Sequence, residues 1–436
     1  MNVDRRWLIA SGLAAGAGFR TVGRALAQPV AGSEVTTELQ REIDAATRAG
    51  RPFAVPAGPL YVTGLRLAEG ARLIGVRGGS RLVLAGDGPL IVAEGAARMT
   101  ISGIVFDGAA RPLESDHGLV DCSGVADLAI SDCVIERCGG VGLRLRTCGG
   151  WIERNRVRDI ARGGIFSSHA TGLVIDDNSV ERCGDNGIQV WRASGGDDGT
   201  RVSANRVTDI GNTSGGTGQY GNGISIFRAG GVTVSDNIIR RCAYSAVRNN
   251  GGANVVISNN NCAELGETAI FAEFEFQGCV VANNSIDGAS AGIQMANFAD
   301  QNGHAAVCSG NIIRNLHPTQ AHSGHEWGYE CGIKAEADVA ISGNVIEGAP
   351  WVGILVGWGP SLRDVSVSGN IIRDAPIGIA VSVADGAGGA AITGNLISGA
   401  SLGAILGMKW DQAATGDLAR TVSPPPQLAI SGNQAR

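Results

Sequence analysis

The side chains best suited to chemistry in this sequence sit at matching positions of a repeating segment. Glu273 and Glu336 are carboxylates two repeats apart, and Arg248 and Lys334 are cations on the same set of segments. Two carboxyl groups about 6.5–9.5 Å apart can serve as acid and base in inverting hydrolysis of a glycosidic bond. Stacked strands lie about 4.8 Å apart, so two repeats put the backbones about 10 Å apart, which is compatible with that chemistry. Arg248 and Lys334 offer a different route. They can hold a uronate carboxylate while Lys334, His325 or Tyr329 removes a proton in a β-elimination. Gln189 and Gln294 supply amides, and Trp191, Phe227 and Trp327 supply flat faces for sugar rings. Each group has a plainer alternative: the carboxylates pair with cations or face water, and the rings pack against the chain itself.

These residues must be positioned by the repeat. An Asn recurs after a V-x-I-S-like run at 155, 178, 205, 237, 260, 284, 311, 344, 370, 395 and 433, and Cys133 fills the same slot one unit earlier. The shortest spacing, from Asn155 to Asn178, is 23 residues and defines one bare coil; longer spacings carry inserted loops. Asn tolerates the left-handed turn conformation, and stacked amides can bond from coil to coil. Each coil has three short strands: G-I-x-V-x, then V-x-I-S before the Asn, then a pair such as Ile238-Ile239. Alternation turns Ile188 and Val190 inward and Gln189 and Trp191 outward. A solenoid of about 12 coils follows, an all-β right-handed parallel β-helix. A leucine-rich horseshoe is the alternative, and its Leu pattern is missing.

On the first strand the outward positions run through Arg144 and Arg146, Phe166 and Ser168, Gln189 and Trp191, Ser225 and Phe227, and Arg248 and Asn250. They continue with Phe271 and Glu273, Gln294 and Ala296, and Lys334 and Glu336, then turn bland at Leu355, Gly357, Ala380 and Ser382. Two inserts enter just before a first strand, residues 211–222 with Tyr220 and residues 315–330 with His317, His322, His325, Glu326, Trp327 and Tyr329. Asp197, Asp198, Asp300 and His304 mark the opposite flank. The three His fit no rigid metal template, and neither a metal nor a cofactor is expected.

Composition narrows the field. Gly is 67 of 436 residues, which suits turns, and the net charge of −6 gives no basic field for nucleic acid. Cys138, Cys183 and Cys242 share one inward slot two coils apart, too far to bridge, so they read as small buried hydrophobes. The pairing of the other seven Cys stays open. Residues 1–27 look like an export address: Arg5-Arg6, a modest apolar run too short for a membrane span, and Ala25-Leu26-Ala27 for cleavage. Residues 28–98 then hold a cap helix over 36–50, with Thr37 as its cap, and the first coils. Residues 99–408 hold the repeats, and 409–436 a closing partial coil.

The opening F-A-V-P-A-G-P-L-Y and the coils resemble right-handed β-helix proteins of the pectate-lyase type. The twin arginine and GETAIFAEFEF resemble, more narrowly, the twin-arginine-translocated repetitive proteins of alphaproteobacteria. The narrower resemblance, to a family with no assigned activity, implies a fold, a periplasmic or secreted location and passage through the twin-arginine translocase; the resemblance to β-helix enzymes implies a substrate groove on the first-strand face. The chain lacks the Gly-His-Gly and paired-Asp signatures of polygalacturonases, the Asp-Pro-His of mannuronan epimerases and the calcium-binding Asp cluster of pectate lyases. The expectation is an exported protein acting on a polysaccharide or oligosaccharide as lyase or hydrolase, with Glu273, Glu336, Lys334 and Arg248 catalytic. Gln189, Trp191, Phe227, Gln294, Tyr220, His325, Trp327 and Tyr329 would bind substrate. The alternative is a non-catalytic carbohydrate-binding or envelope scaffold. Replacing Arg5 and Arg6 with Lys should leave unprocessed protein in the cytoplasm on fractionation; processed periplasmic protein from that variant would contradict the address.

Overall fold

A computed structural model of the chain describes residues 32–114, 117–296, 303–319, 330–421 and 423–436. Residues 1–31, on which the expected export signal falls, lie outside them. The described chain winds into three sheets of fifteen strands each, taking every third strand in turn. The front sheet runs from Leu65–Leu67 to Gly403–Lys409, with Gln412–Asp417 as its last strand. The second runs from Phe53–Ala54 to Leu428–Ser431, and the third from Gly58–Val62 to Gln434–Ala435. All pairings are parallel except that of Gly403–Lys409 with Gln412–Asp417. The solenoid is longer than the Asn series implies, because strands already stack from Phe53 onward in coils that carry no Asn. Among the described residues no helix is long and apolar enough to cross a membrane.

Alternation sets the core. On the front sheet Ile188, Ile224, Val247, Ile270, Ile293 and Ile333 stack inward in register, and each is fully buried. The Gly that opens many of these strands has a steric cause. A Cβ on Gly187 would come within 2.5 Å of the Gly223 carbonyl oxygen in the next coil and of Val207 on the sheet behind. The ends are closed differently. The helix Gly32–Arg48 lays Leu39 and Ile43 on the first coil, and the antiparallel strand Gln412–Asp417 ends the front sheet. The helix starts a turn before the expected Thr36, because the apolar stripe already begins at Val35, which packs on the core. Thr37 therefore lies inside the helix and is not its cap. Thr36 instead accepts a hydrogen bond from the Thr63 N–H at 2.9 Å.

The Asn residues form one continuous ladder. In every step from Asn155 to Asn395, the backbone N–H and the side-chain Nδ2 of one Asn both donate to Oδ1 of the next. Nδ2 also donates to a carbonyl of the preceding coil, as Asn260 does to Val234 at 3.1 Å. The left-handed residue of this turn is not the Asn, as expected, but the one before it: Asp177, Ala204, Asp236, Asn259, and then Gly310, Gly343 and Gly369. The Asn is needed for its amide, and its neighbour absorbs the positive φ.

All ten Cys are free and buried. Cys138, Cys183 and Cys242 alternate in one stack with Ile160 and Ile210. Burial pushes the thiol of Cys138 up to about 11 and that of Cys262 up to about 12, so these groups stay protonated and inert. Outside the coil, arginines reach back to carboxylates of the preceding coil. Hydrogen bonds from Arg182, Arg241 and Arg363 hold Asp159, Asp209 and Asp338 below the usual carboxylate range.

Asn260→Ala should cost about 1–3 kcal/mol in urea unfolding, because the Asn237 N–H and Nδ2 lose their acceptor inside the coil. A variant as stable as the parent would remove the ladder's energetic role.

Candidate functional site

The outward face of the front sheet carries two rows of side chains. The first passes through Arg144, Phe166, Gln189, Ser225, Arg248, Phe271, Gln294 and Lys334 in unbroken register. The second passes through Ser168, Trp191, Phe227, Asn250 and Glu273 to Ala296. Glu336 continues that row, since its N–H donates to the Met295 carbonyl just after the strand Cys331–Ala335. Glu273 and Glu336 are therefore on one face, two coils apart.

The face is not uniformly open. Its middle is buried and internally paired. Arg248 grips Glu273 with two hydrogen bonds of 2.7 and 2.9 Å and reaches Glu267 at 3.0 Å. Asn250 adds a third bond to Glu273 at 2.9 Å. The Phe271 ring lies 4.9 Å from the guanidinium, measured to its centroid. Burial pushes the Glu273 carboxyl up, while Arg248 pulls the other way. One coil past Gln294, Lys334 pairs with Glu336 at 3.0 Å, and both side chains are essentially inaccessible. At the middle of the face each candidate cation is thus paired with a carboxylate, Arg248 with Glu267 and Glu273 and Lys334 with Glu336, which is the plainer alternative for these four groups.

The insert over residues 211–222 explains part of this cover. Asp185 anchors it through the backbone N–H and the hydroxyl of Ser214, each at 2.8 Å. The Tyr244 hydroxyl donates to the Gly216 carbonyl at 3.0 Å. Gly218, at φ +129, then lies flat on Arg248; a Cβ there would fall 1.8 Å from a guanidinium nitrogen. Tyr220 in this insert is half-buried. Of the second insert, His322, His325, Glu326, Trp327 and Tyr329 lie outside the described residues, as does Asp300, while His317 is exposed. On the other flank Asp197 and His304 are exposed. Asp198 is buried, 2.5 Å from the Thr200 hydroxyl and 3.6 Å from Arg192, and burial raises its carboxyl. Among the described residues no three His, Cys, Asp or Glu side chains gather to hold a metal.

Toward the amino end the face opens. Phe166, Trp191 and Phe227 form a ladder of half-buried rings, with centroids 5.5 Å apart at 81° and then 5.6 Å apart at 52°. Gln189, buried on the neighbouring row, and the Trp191–Ser225 contact at 3.4 Å steady it. Two coils before Phe166, Asp121 accepts from Arg144 at 3.2 Å and from the Gly118 N–H at 3.2 Å, and it faces His117 at 3.3 Å. Sequence reasoning missed this His–Asp–Arg group, although an outward Asp one coil before Arg144 was the signal for it. Toward the carboxyl end the expected bland stretch is a second apolar cluster outside the coil. Leu355, Ala380, Leu406 and Met408 are buried there beneath Trp351 and Trp358.

The chain matches the family described as right handed beta helix region over residues 85–207 and 186–372, more than half its length, and it belongs to that family. Comparison with curated protein sequences gives no match. Similar solved structures include the A-module of mannuronan C-5 epimerase AlgE4 from Azotobacter vinelandii, 16% identical, with a TM-score of 0.47 over 79% of this chain and 92% of that one. The pre-mature gene product 12 of bacteriophage phi29 is 14% identical, with a TM-score of 0.50 over 91% of this chain and 53% of that one. The catalytic unit of an alpha-1,3-glucanase from Streptomyces thermodiastaticus is 11% identical, with a TM-score of 0.46 over 92% of this chain and 65% of that one. At these identities the likeness is one of fold.

Arg248→Met should lower stability by about 3–5 kcal/mol, because it leaves Glu267 and Glu273 buried without their shared cation. Chemical denaturation checks this; an unchanged midpoint would mean that the cluster is open to solvent.

Proposed function

We propose that this is an exported, carbohydrate-active β-helix protein that takes a polysaccharide along the outer face of its front sheet. The observation that carries the reading is the aromatic ladder Phe166–Trp191–Phe227, one ring per coil, half-exposed on the open part of that face. A solenoid repeats its surface every coil, and a polymer repeats its units, so a periodic row of rings suits an extended chain better than a compact ligand. Half-buried aromatics also bring large apolar area to a ligand at low entropic cost. Export through the twin-arginine translocase to the periplasm or beyond belongs to the same proposal and rests on Arg5-Arg6 and Ala25-Leu26-Ala27.

If the protein is catalytic, Glu273 is its best-equipped acid or base. It lies in the row of Trp191 and Phe227, and Arg248 and Asn250 fix its orientation. Lys334 and Glu336 would join it, as elimination or hydrolysis requires. The specific observation favouring a non-catalytic binding scaffold is the burial and mutual pairing of these four groups.

Incubation with a polysaccharide panel, assayed for unsaturated and for reducing ends, separates the readings: unsaturated product means elimination, reducing ends alone mean hydrolysis, and binding with neither means a scaffold. Trp191→Ala should weaken binding of the retained polymer by roughly tenfold, about 1.4 kcal/mol. A wild-type protein that retains no polymer would contradict the proposal.

A further inference from the structure

A second aromatic platform stands on the same face, near its carboxyl end. Trp358 follows the strand Val352–Val356 and covers the apolar cluster of Leu355, Ala380 and Leu406. Its ring meets Trp410 edge-on, with centroids 5.9 Å apart at 77°. Trp410 sits at the tip of the hairpin joining Gly403–Lys409 to Gln412–Asp417, and it is 51% exposed. Two features make this an odd place for a packing residue. Trp410 has φ 58, a left-handed conformation that a hairpin tip ordinarily gives to Asn or Gly and that is a true outlier for a bulky side chain. Its ring is also seated from below, since Gly359 approaches so closely that a Cβ there would lie 2.4 Å from it. The hairpin is pinned further by Lys409 on Asp385 at 3.2 Å. The chain holds a large ring in a strained backbone, supports it on one side and leaves the other side to solvent.

We propose that Trp410, backed by Trp358, is a second sugar-stacking subsite, and that one polysaccharide chain engages it together with the Phe166–Trp191–Phe227 ladder. The inference rests on the polysaccharide reading of that ladder. The strand of Phe227 and the strand preceding Trp358 are five coils apart in unbroken register. At about 4.8 Å per coil Trp358 stands about 24 Å beyond Phe227, and the Trp410 ring, on the hairpin after the strand two coils further on, lies 5.9 Å from that of Trp358. Gln294, Lys334 and Glu336 between the two platforms are buried, so the ligand bridges this stretch and touches down at both ends. Affinity then depends on chain length: a disaccharide occupies one platform, and a polymer that reaches both gains from the second as an intramolecular event.

The test uses the chain from residue 28 onward in affinity electrophoresis with polygalacturonate, polymannuronate and a neutral β-1,3-glucan, followed by calorimetry with size-defined oligomers of the retained polymer. The expected result is that Trp410→Ala weakens polymer binding by about tenfold or more while leaving the disaccharide unchanged. Trp410→Phe should preserve the length dependence, and equal unfolding temperatures would exclude a folding defect. If Trp410→Ala binds polymer like the parent while Trp191→Ala does not, this inference fails and the ladder reading stands. If the parent binds none of the three polymers, the reading fails and this subsite fails with it.

Discussion

From Asn155 to Asn433 the coils hang on one hydrogen-bond unit, the stacked Asn amide. Its Oδ1 accepts twice from the preceding coil, and its Nδ2 donates once forward and once to a carbonyl behind. An amide offers two acceptor sites and two donors, so the group is fully used in a place where water cannot substitute. Because each bond spans one coil, the ladder fixes the length of chain between turns modulo inserted loops. An insertion inside a strand would move the Asn out of its stack and reverse every side chain after it. Most loops enter at corners, as residues 211–222 do; the extra residues between Trp191 and Gly196 instead form a bulge at the end of a front-sheet strand, and the pairing of Ile188 to Trp191 with Ile224 to Phe227 survives both.

That register aligns the outward face of the front sheet and divides it. Rows of outward residues stay aligned over many coils, so neighbouring coils present their side chains to one another at strand spacing. Where those side chains are charged and covered, they satisfy each other, as Arg248 does with Glu267 and Glu273. Buried charges without partners would be far more costly than the pairs are. Where the side chains are aromatic and uncovered, they form a ladder with faces left for a ligand. One sheet thus supplies a rigid charged middle and, to its amino side, a row of half-exposed rings.

Much of this could be read from the chain. The Asn spacing and the two-residue alternation gave the three sheets, their parallel pairing and the outward register of Trp191, Phe227, Arg248, Glu273 and Lys334, because those are local and periodic properties. Burial of the same residues was not legible, since it depends on what lies over the sheet and not on which way a strand residue points. Gly218 is the clearest case: in sequence it is one glycine of a loop, and in space it is the surface against which Arg248 is sealed. The left-handed residue of the turn was misplaced by one for a similar reason, as Asp and Asn both tolerate that conformation and only the hydrogen bonds assign the roles. His117 and Asp121 were missed because their coil precedes the Asn series that set the alignment.

The most direct measurement is a crystal structure of the protein with an oligosaccharide of a polysaccharide found to bind it. The account predicts a pyranose ring stacked on Trp191 or its ladder neighbours Phe166 and Phe227, with the chain running across successive coils of the front sheet. Sugar bound on the second or third sheet, with the ladder bare, would contradict it.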